Sequence, residues 1–224
     1  MNCYQNDAAK LVIFFLNDKQ IIVNFGEQNV NYAIIWHFCY LFYYFCSMKI
    51  GIFCSANDNI DAEYFKRTEE LGQWAAQNGH VIVFGGCNMG LMECVSKAAK
   101  SNKGMTIGVV PTKVEERGKV SSWLDVHIPC SDLTDRKQLL MLQSDVFVAL
   151  PGGIGTLDEI FTVVASATIG YHNKPLVLYN INGFWDSMIA MLDDLTEKGM
   201  IRGQWREHIK VATNLEEVRL NCVK

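Results

Sequence analysis

The stretch of this chain best equipped for chemistry is Pro151-Gly152-Gly153-Ile154-Gly155-Thr156-Leu157-Asp158-Glu159. Glycines at 152, 153 and 155 would let the backbone take positive φ and approach an anion closely. A helix starting there would add unpaired N–H groups and the positive end of its dipole, and Thr156 a hydroxyl. Phosphate is the anion such a loop suits. A ligand-free reading also exists, because Thr156-x-x-Glu159 fits a capping box, in which threonine and glutamate satisfy the helix's own first amides. The whole string favours the cradle, since a cap needs no glycine triplet. With no lysine after its glycines, the loop departs from G-x-x-x-x-G-K-[ST], which disfavours an ATP-hydrolysing P-loop. A second glycine-rich string, Gly85-Gly86-Cys87-Asn88-Met89-Gly90-Leu91-Met92, lies upstream.

Both strings fall where a strand gives way to a helix. Short β-branched or apolar runs at 49–54, 80–84, 105–110, 125–129, 145–150, 175–179 and 208–212 read as strands. Helical patterns occupy 61–78, 89–99, 133–143, 156–169, 183–198 and 214–220. The charged segment 112–122, with Gly118, reads as a mobile loop. The almost unbroken apolar run at 145–150 marks a central parallel strand covered on both faces. Alternation of this kind predicts an α/β fold: one doubly wound parallel sheet over 48–224 with helices on both faces. In such sheets ligands bind beyond the carboxyl ends of the strands, where both glycine strings lie.

Composition narrows the classes. Of 224 residues, 50% are hydrophobic and 20% charged, which fits a globular core rather than disorder. A net charge of −4 gives no basic footprint for a nucleic-acid backbone. The eight cysteines contain no C-x-x-C pair, which argues for reduced thiols in a cytoplasmic protein and against a zinc site. Cys87 and Cys94 could form a redox pair, but small apolar filling is the commoner role of free cysteine. His80, His127, His172 and His208 show no metal-ligand spacing. Residues 1–47 differ from the rest: they hold about half of the aromatics, concentrated in 32–46 without helical or strand periodicity. That run is too short for a membrane span and lacks the marks of a secretory signal. The expectation is that Met48 is the start of the protein and 1–47 is an atypical extension.

Pro151-Gly152-Gly153-x-Gly155-Thr156-x-x-Glu159, Arg136-Lys137 and Gly85-Gly86-x-x-x-Gly90-Leu91-Met92 together resemble the Lonely Guy family of cytokinin riboside 5′-monophosphate phosphoribohydrolases, long labelled lysine decarboxylases. The resemblance runs from about Met48 to the C-terminal helix. It implies a Rossmann-like homodimer that hydrolyses a purine nucleoside 5′-monophosphate, AMP or a cytokinin riboside monophosphate, to free base and ribose 5-phosphate without a cofactor. The family's catalytic arginine and glutamate fall on Arg136 and Glu159, the neighbouring lysine on Lys137, and the phosphate-binding loop on Gly152, Gly153, Ile154, Gly155 and Thr156. Gly86 of the first string is a further substrate-binding candidate, and Glu116 with Glu115 of the charged loop could reach the ribose hydroxyls, although solvated loop charges are the commoner case. Departures from the family lie at Cys87 and Glu93, where glycines are usual, and at Val163-Val164, where a Thr-Trp pair is common.

Breaking an N-glycosidic bond develops positive charge on the ribose, so a carboxylate beside C1′ can stabilise that charge and activate the attacking water, the part expected of Glu159. Arg136, forked and always charged, would hold phosphate or ribose oxygens. Its bland alternative is a surface residue paired with Asp132 or Asp135. The rival functions are a carrier of the molybdenum cofactor or of another phosphorylated ligand, and a pyridoxal-dependent decarboxylase, for which no lysine sits beside the loop. A contact face between subunits is expected on the 161–170 segment, with its small Ala165, Ser166 and Ala167.

Overall fold

A computed structural model describes residues 47–222, and the strand backbones at 3–6, 11–16 and 19–24. The chain divides into two compact units, Met1–Cys46 and Ser47–Lys224. In the first, β1 (Cys3–Asn6), β2 (Leu11–Leu16) and β3 (Lys19–Asn24) form an antiparallel sheet in that order, with Cys3 opposite Phe14 and Leu16 opposite Lys19. The β-branched and aromatic content of β2 and β3 suits a pleated surface. The aromatic run at 32–46 lies outside the described residues.

The second unit alternates strand and helix: β4 (Lys49–Phe53), α1 (Ala62–Gln77), β5 (Val81–Phe84), α2 (Gly90–Ser101), β6 (Met105–Pro111), α3 (Thr112–Glu116), β7 (Val126–Cys130), α4 (Leu133–Gln143), β8 (Val146–Ala149), α5 (Ile154–Thr168), β9 (Leu176–Tyr179), α6 (Asp186–Glu197), β10 (Ile209–Ala212) and α7 (Leu215–Cys222). The seven strands pair in parallel in the order β10-β9-β8-β4-β5-β6-β7. This is the expected doubly wound α/β sheet. Its strand order reverses between β4 and β8, where neighbouring connections leave toward opposite sides and open a crevice.

Burial explains the strand sequences. Every residue of β8 and β9 is buried, because helices cover both faces. One layer joins Ile50, Ile82, Val148 and Tyr179 to α1, α2 and α7; the other joins Phe53, Phe147, Leu176 and Ile209 to α4, α5 and α6. Alternate side chains of the same strand thus serve opposite layers.

Two expected boundaries shift with consequence. The segment 112–122 is not a loose loop: α3 starts it, and backbone bonds from Asn88 N to Lys119 O (2.9 Å) and Ser121 N to Gly86 O (2.9 Å) stitch its far end to the first glycine string. And α5 begins at Ile154, before Thr156.

Candidate active site

Beyond β8 the chain passes through Pro151 and Gly152 into α5, whose N-cap is Gly153 and whose first turn no side chain caps. Thr156 therefore lies inside the first turn, and Leu157 N–H already bonds Gly153 O at 3.0 Å. The capping-box reading fails on this geometry. The leading amides of α5 are the ones a helix cannot satisfy within itself. Gly153, Ile154 and Gly155 are exposed around them, while Thr156 is buried beneath the loop and packs where a Cβ at Gly152 would stand.

None of Gly152, Gly153 and Gly155 has positive φ, contrary to expectation; Gly86 (φ 70°) and Gly90 (φ 58°) of the first string do. A Cβ added at Gly153 or Gly155 would meet nothing within 4 Å. The protein itself does not need glycine at these two positions. What glycine leaves is a bare backbone open to close approach from outside.

Asp132 starts α4 by accepting from Thr134 N (2.7 Å) and Asp135 N (2.9 Å), and Asp135 in turn accepts from Ser131 N at 3.0 Å. Neither carboxylate is a partner for Arg136, so the surface reading of that residue fails. Its side chain runs inward, only 13% exposed, with Nη2 donating to Gly85 O (2.8 Å) and Nε to Val109 O (3.2 Å). A Cβ at Gly85 would occupy the place of the guanidinium, so this glycine makes room for the arginine. Nη1 points to Glu159 Oε1 at 3.9 Å, which is too long for a hydrogen bond. Its N–H groups form no hydrogen bond among the described residues and remain available to a ligand.

Glu159, in the second turn of α5, is only 7% exposed. Burial pushes its carboxyl up to about 7, partly opposed by the Arg136 guanidinium, with Asp158 adding to the rise. Beneath it the buried Cys54 thiol is also held in its neutral form, by burial first and by Glu159 next. A carboxyl poised near neutrality beside a fixed arginine can exchange a proton at working pH.

The structure thus brings Arg136, Glu159, Gly85 and the start of α5 to one crevice. Two other candidates stand differently. Lys137 Nζ bonds Asp158 Oδ1 at 2.7 Å across α4 and α5, so its charge is already engaged. Glu116 is exposed on α3, and its neighbour Glu115 bonds His127 Nε2 at 3.0 Å. Gly86 follows Gly85 in the chain, and its carbonyl accepts from Ser121 N–H. Among the described residues no group of three His, Cys, Asp or Glu could hold a metal ion.

Sequence reasoning missed the loop after β4. Ser55 N–H donates to Pro151 O (3.0 Å), its carbonyl accepts from Leu91 N (2.9 Å), and Asp58 Oδ1 accepts from Gly90 N at 2.7 Å. This polar loop ties the two glycine strings together. The available signal was position: the Ser-Ala-Asn-Asp-Asn run follows the first strand of a parallel sheet, at its carboxyl end.

A family model described as "Possible lysine decarboxylase" matches residues 92–221. The chain belongs to this family, the Lonely Guy family. It is 32% identical over 76% of its length to an Oryza sativa (subspecies japonica) protein named a probable cytokinin riboside 5′-monophosphate phosphoribohydrolase, covering 69% of that protein. A Mycobacterium tuberculosis relative, named a cytokinin riboside 5′-monophosphate phosphoribohydrolase, is 31% identical over 77% of this chain and 92% of its own. Among solved structures, the molybdenum cofactor carrier protein of Chlamydomonas reinhardtii matches at 26% identity with a TM-score of 0.59, over 78% of this chain and 94% of that one. The Lonely Guy relatives thus carry the name of a nucleotide hydrolase, while a carrier shares the architecture.

Proposed function

We propose that this Lonely Guy protein hydrolyses the N-glycosidic bond of a purine nucleoside 5′-monophosphate, AMP or a cytokinin riboside monophosphate, releasing base and ribose 5-phosphate. The observation that carries the reading is the convergence of Arg136 and Glu159 beside the uncapped start of α5. Phosphate would take the free amides of α5, and Nη1 of Arg136 would reach a phosphate or ribose oxygen. Ionised Glu159 then faces the sugar. As the C1′–N bond breaks, the carboxylate stabilises the positive charge on the ribose and takes a proton from the water that forms the new C1′–O bond. The departing base takes up a proton in exchange.

The test is incubation with a panel of nucleoside 5′-monophosphates and the matching nucleosides, reading free base by chromatography. Base released from monophosphates and not from nucleosides supports the reading; no release from any of them overturns it. The alternative, a carrier of the molybdenum cofactor or of another phosphorylated ligand, is favoured by the Chlamydomonas likeness alone. A carrier has no need of a buried carboxyl next to its arginine. A pyridoxal-dependent decarboxylase fits poorly, because Lys137, which reaches α5, is paired with Asp158.

The working form we propose is a cytoplasmic homodimer. Val163 and Ala167 turn α5 toward the sheet, while Phe161, Ala165 and Ile169 stay exposed at four-residue intervals along one stripe. Ile169→Asp combined with Phe161→Asp is expected to give a monomer by light scattering; an unchanged mass would exclude this stripe as the contact. Among the described residues no helix is long and apolar enough to cross a membrane.

A further inference from the structure

The two glycine-rich strings end in helices of opposite availability. At α5 no side chain caps the leading amides, and a Cβ at Gly153 or Gly155 would meet nothing within 4 Å. At α2 the first two are spent: Gly90 N–H donates to Asp58 Oδ1 at 2.7 Å, and Leu91 N–H to Ser55 O at 2.9 Å. A carboxylate thus sits where an anionic ligand of α2 would otherwise sit. The same loop touches the phosphate loop, since Ser55 N–H donates to Pro151 O at 3.0 Å. Asp58 is three residues from Ser55, a span of at most about 11 Å of chain, comparable with the roughly 8–10 Å screening length in physiological salt. Its carboxylate is exposed, so its field is screened over about that length and acts on a ligand group that comes close to it.

We propose that Asp58 is a specificity-determining residue: its carboxylate occupies the anion position at the start of α2 and restricts the crevice to ligands with a single phosphate group. A nucleoside diphosphate or dinucleotide would bring a second anion toward amides already taken and a fixed negative charge. Lys137, which could offset that charge, is engaged by Asp158. The proposal rests on the phosphate loop reading given above, and it adds the residue that sets the number of phosphates.

Calorimetric titration of wild type, Asp58→Asn and Asp58→Ala, each in a Glu159→Gln background that does not consume AMP, with AMP, ADP, inorganic phosphate and pyrophosphate tests it, with base release from AMP followed in the same three proteins carrying Glu159. Wild type is expected to bind the one-phosphate member of each pair about tenfold more tightly, within the range of the repulsion between two like charges brought to about 4 Å near a protein surface. Asp58→Ala, which frees the Gly90 amide and removes the charge, should bring the ratio within about threefold, a loss of most of that charge effect. Asp58→Asn keeps an oxygen for Gly90 and should fall between, which also guards against a folding defect in the alanine variant. An equal preference in all three proteins, or a wild type that takes ADP as tightly as AMP, overturns the proposal. Discrimination that relaxes as expected in a protein that releases no base from AMP would leave Asp58's role standing and sink the hydrolase reading. Hydrolysis of AMP with an unmoved ratio would sink this role alone.

Discussion

The first and second glycine-rich loops look alike as text and differ in what glycine is for. In the first, Gly86 and Gly90 have positive φ, and a Cβ at Gly90 would stand 2.6 Å from the backbone of Ala56 and Asn57. Glycine there lets two segments of the protein touch. In the second, Gly153 and Gly155 have ordinary φ and nothing of the protein nearby. Glycine there leaves room for something that is not protein. The two helix starts follow the same division, one closed by Asp58 and the other open in front of Glu159. Glycine content by itself therefore does not mark a site; the proposed phosphate site rests on the glycines that the fold does not require.

The hardest test of this contrast is the carboxyl behind the open loop. Glu159→Gln keeps the shape and removes the base, and turnover should fall by about 10²–10⁴-fold, the usual worth of a general base. Melting temperature should not drop, because the glutamate caps nothing and its burial already disfavours the charged form. Activity that survives in the glutamine variant would return Glu159 to a structural role and leave the open loop without chemistry.

The glycines themselves can be broken in parallel. Gly90→Ala should destabilise by about 1–3 kcal/mol, from strained positive φ and the clash with the β4 loop, lowering the melting temperature by several degrees. Gly153→Ala and Gly155→Ala should leave it within about a degree, because no neighbour is struck and no φ is strained. Their effect should appear as a higher KM, about tenfold for the loss of one good charge-assisted contact. Equal thermal losses in both loops would erase the distinction.

Much of the scaffold was readable because the strands are buried on both sides and hence continuously apolar, as in the all-buried β8 and β9. The site was less so. The true start of α5 carries no side-chain marker, since its N-cap is Gly153, and the Thr-Glu spacing suggested a cap three residues too late. That Arg136 runs inward depends on carbonyls of Gly85 and Val109, 51 and 27 residues away, which no local pattern reports. Asp58 reaches Gly90 across 32 residues and was equally hidden. The helix at α3 was masked by its charged residues, which resemble those of a loop.

A smaller effect concerns pH. The Glu159 carboxyl rises from 4.5 to about 7 in the folded protein, so the native state binds this proton more tightly than the unfolded chain does. The associated stability is fully present below about 4.5 and is lost as pH rises through about 7, a change of at most a few kcal/mol. Over the same upper range kcat/KM should rise as the base ionises. Glu159→Gln should flatten the stability slope between these limits, and a slope unchanged in the variant would assign it to other groups.

The smallest expected effect separates the open helix start from the lysine beside it. If α5 holds phosphate by its backbone amides and Arg136, then Lys137, occupied by Asp158 at 2.7 Å, contributes mainly a surface-type pair. Such pairs are worth about 0–1 kcal/mol, so Lys137→Met should raise the KM for AMP less than about threefold and hardly move the melting temperature. Asp158→Asn would free the lysine, and it too should change KM little, because the amides and not the ammonium set the affinity. A rise above about tenfold in the methionine variant, near 1.4 kcal/mol, would mean that the lysine leaves Asp158 for the ligand. The open start of α5 would then need a side chain to hold its anion, much as α2 needs Asp58 to close its own.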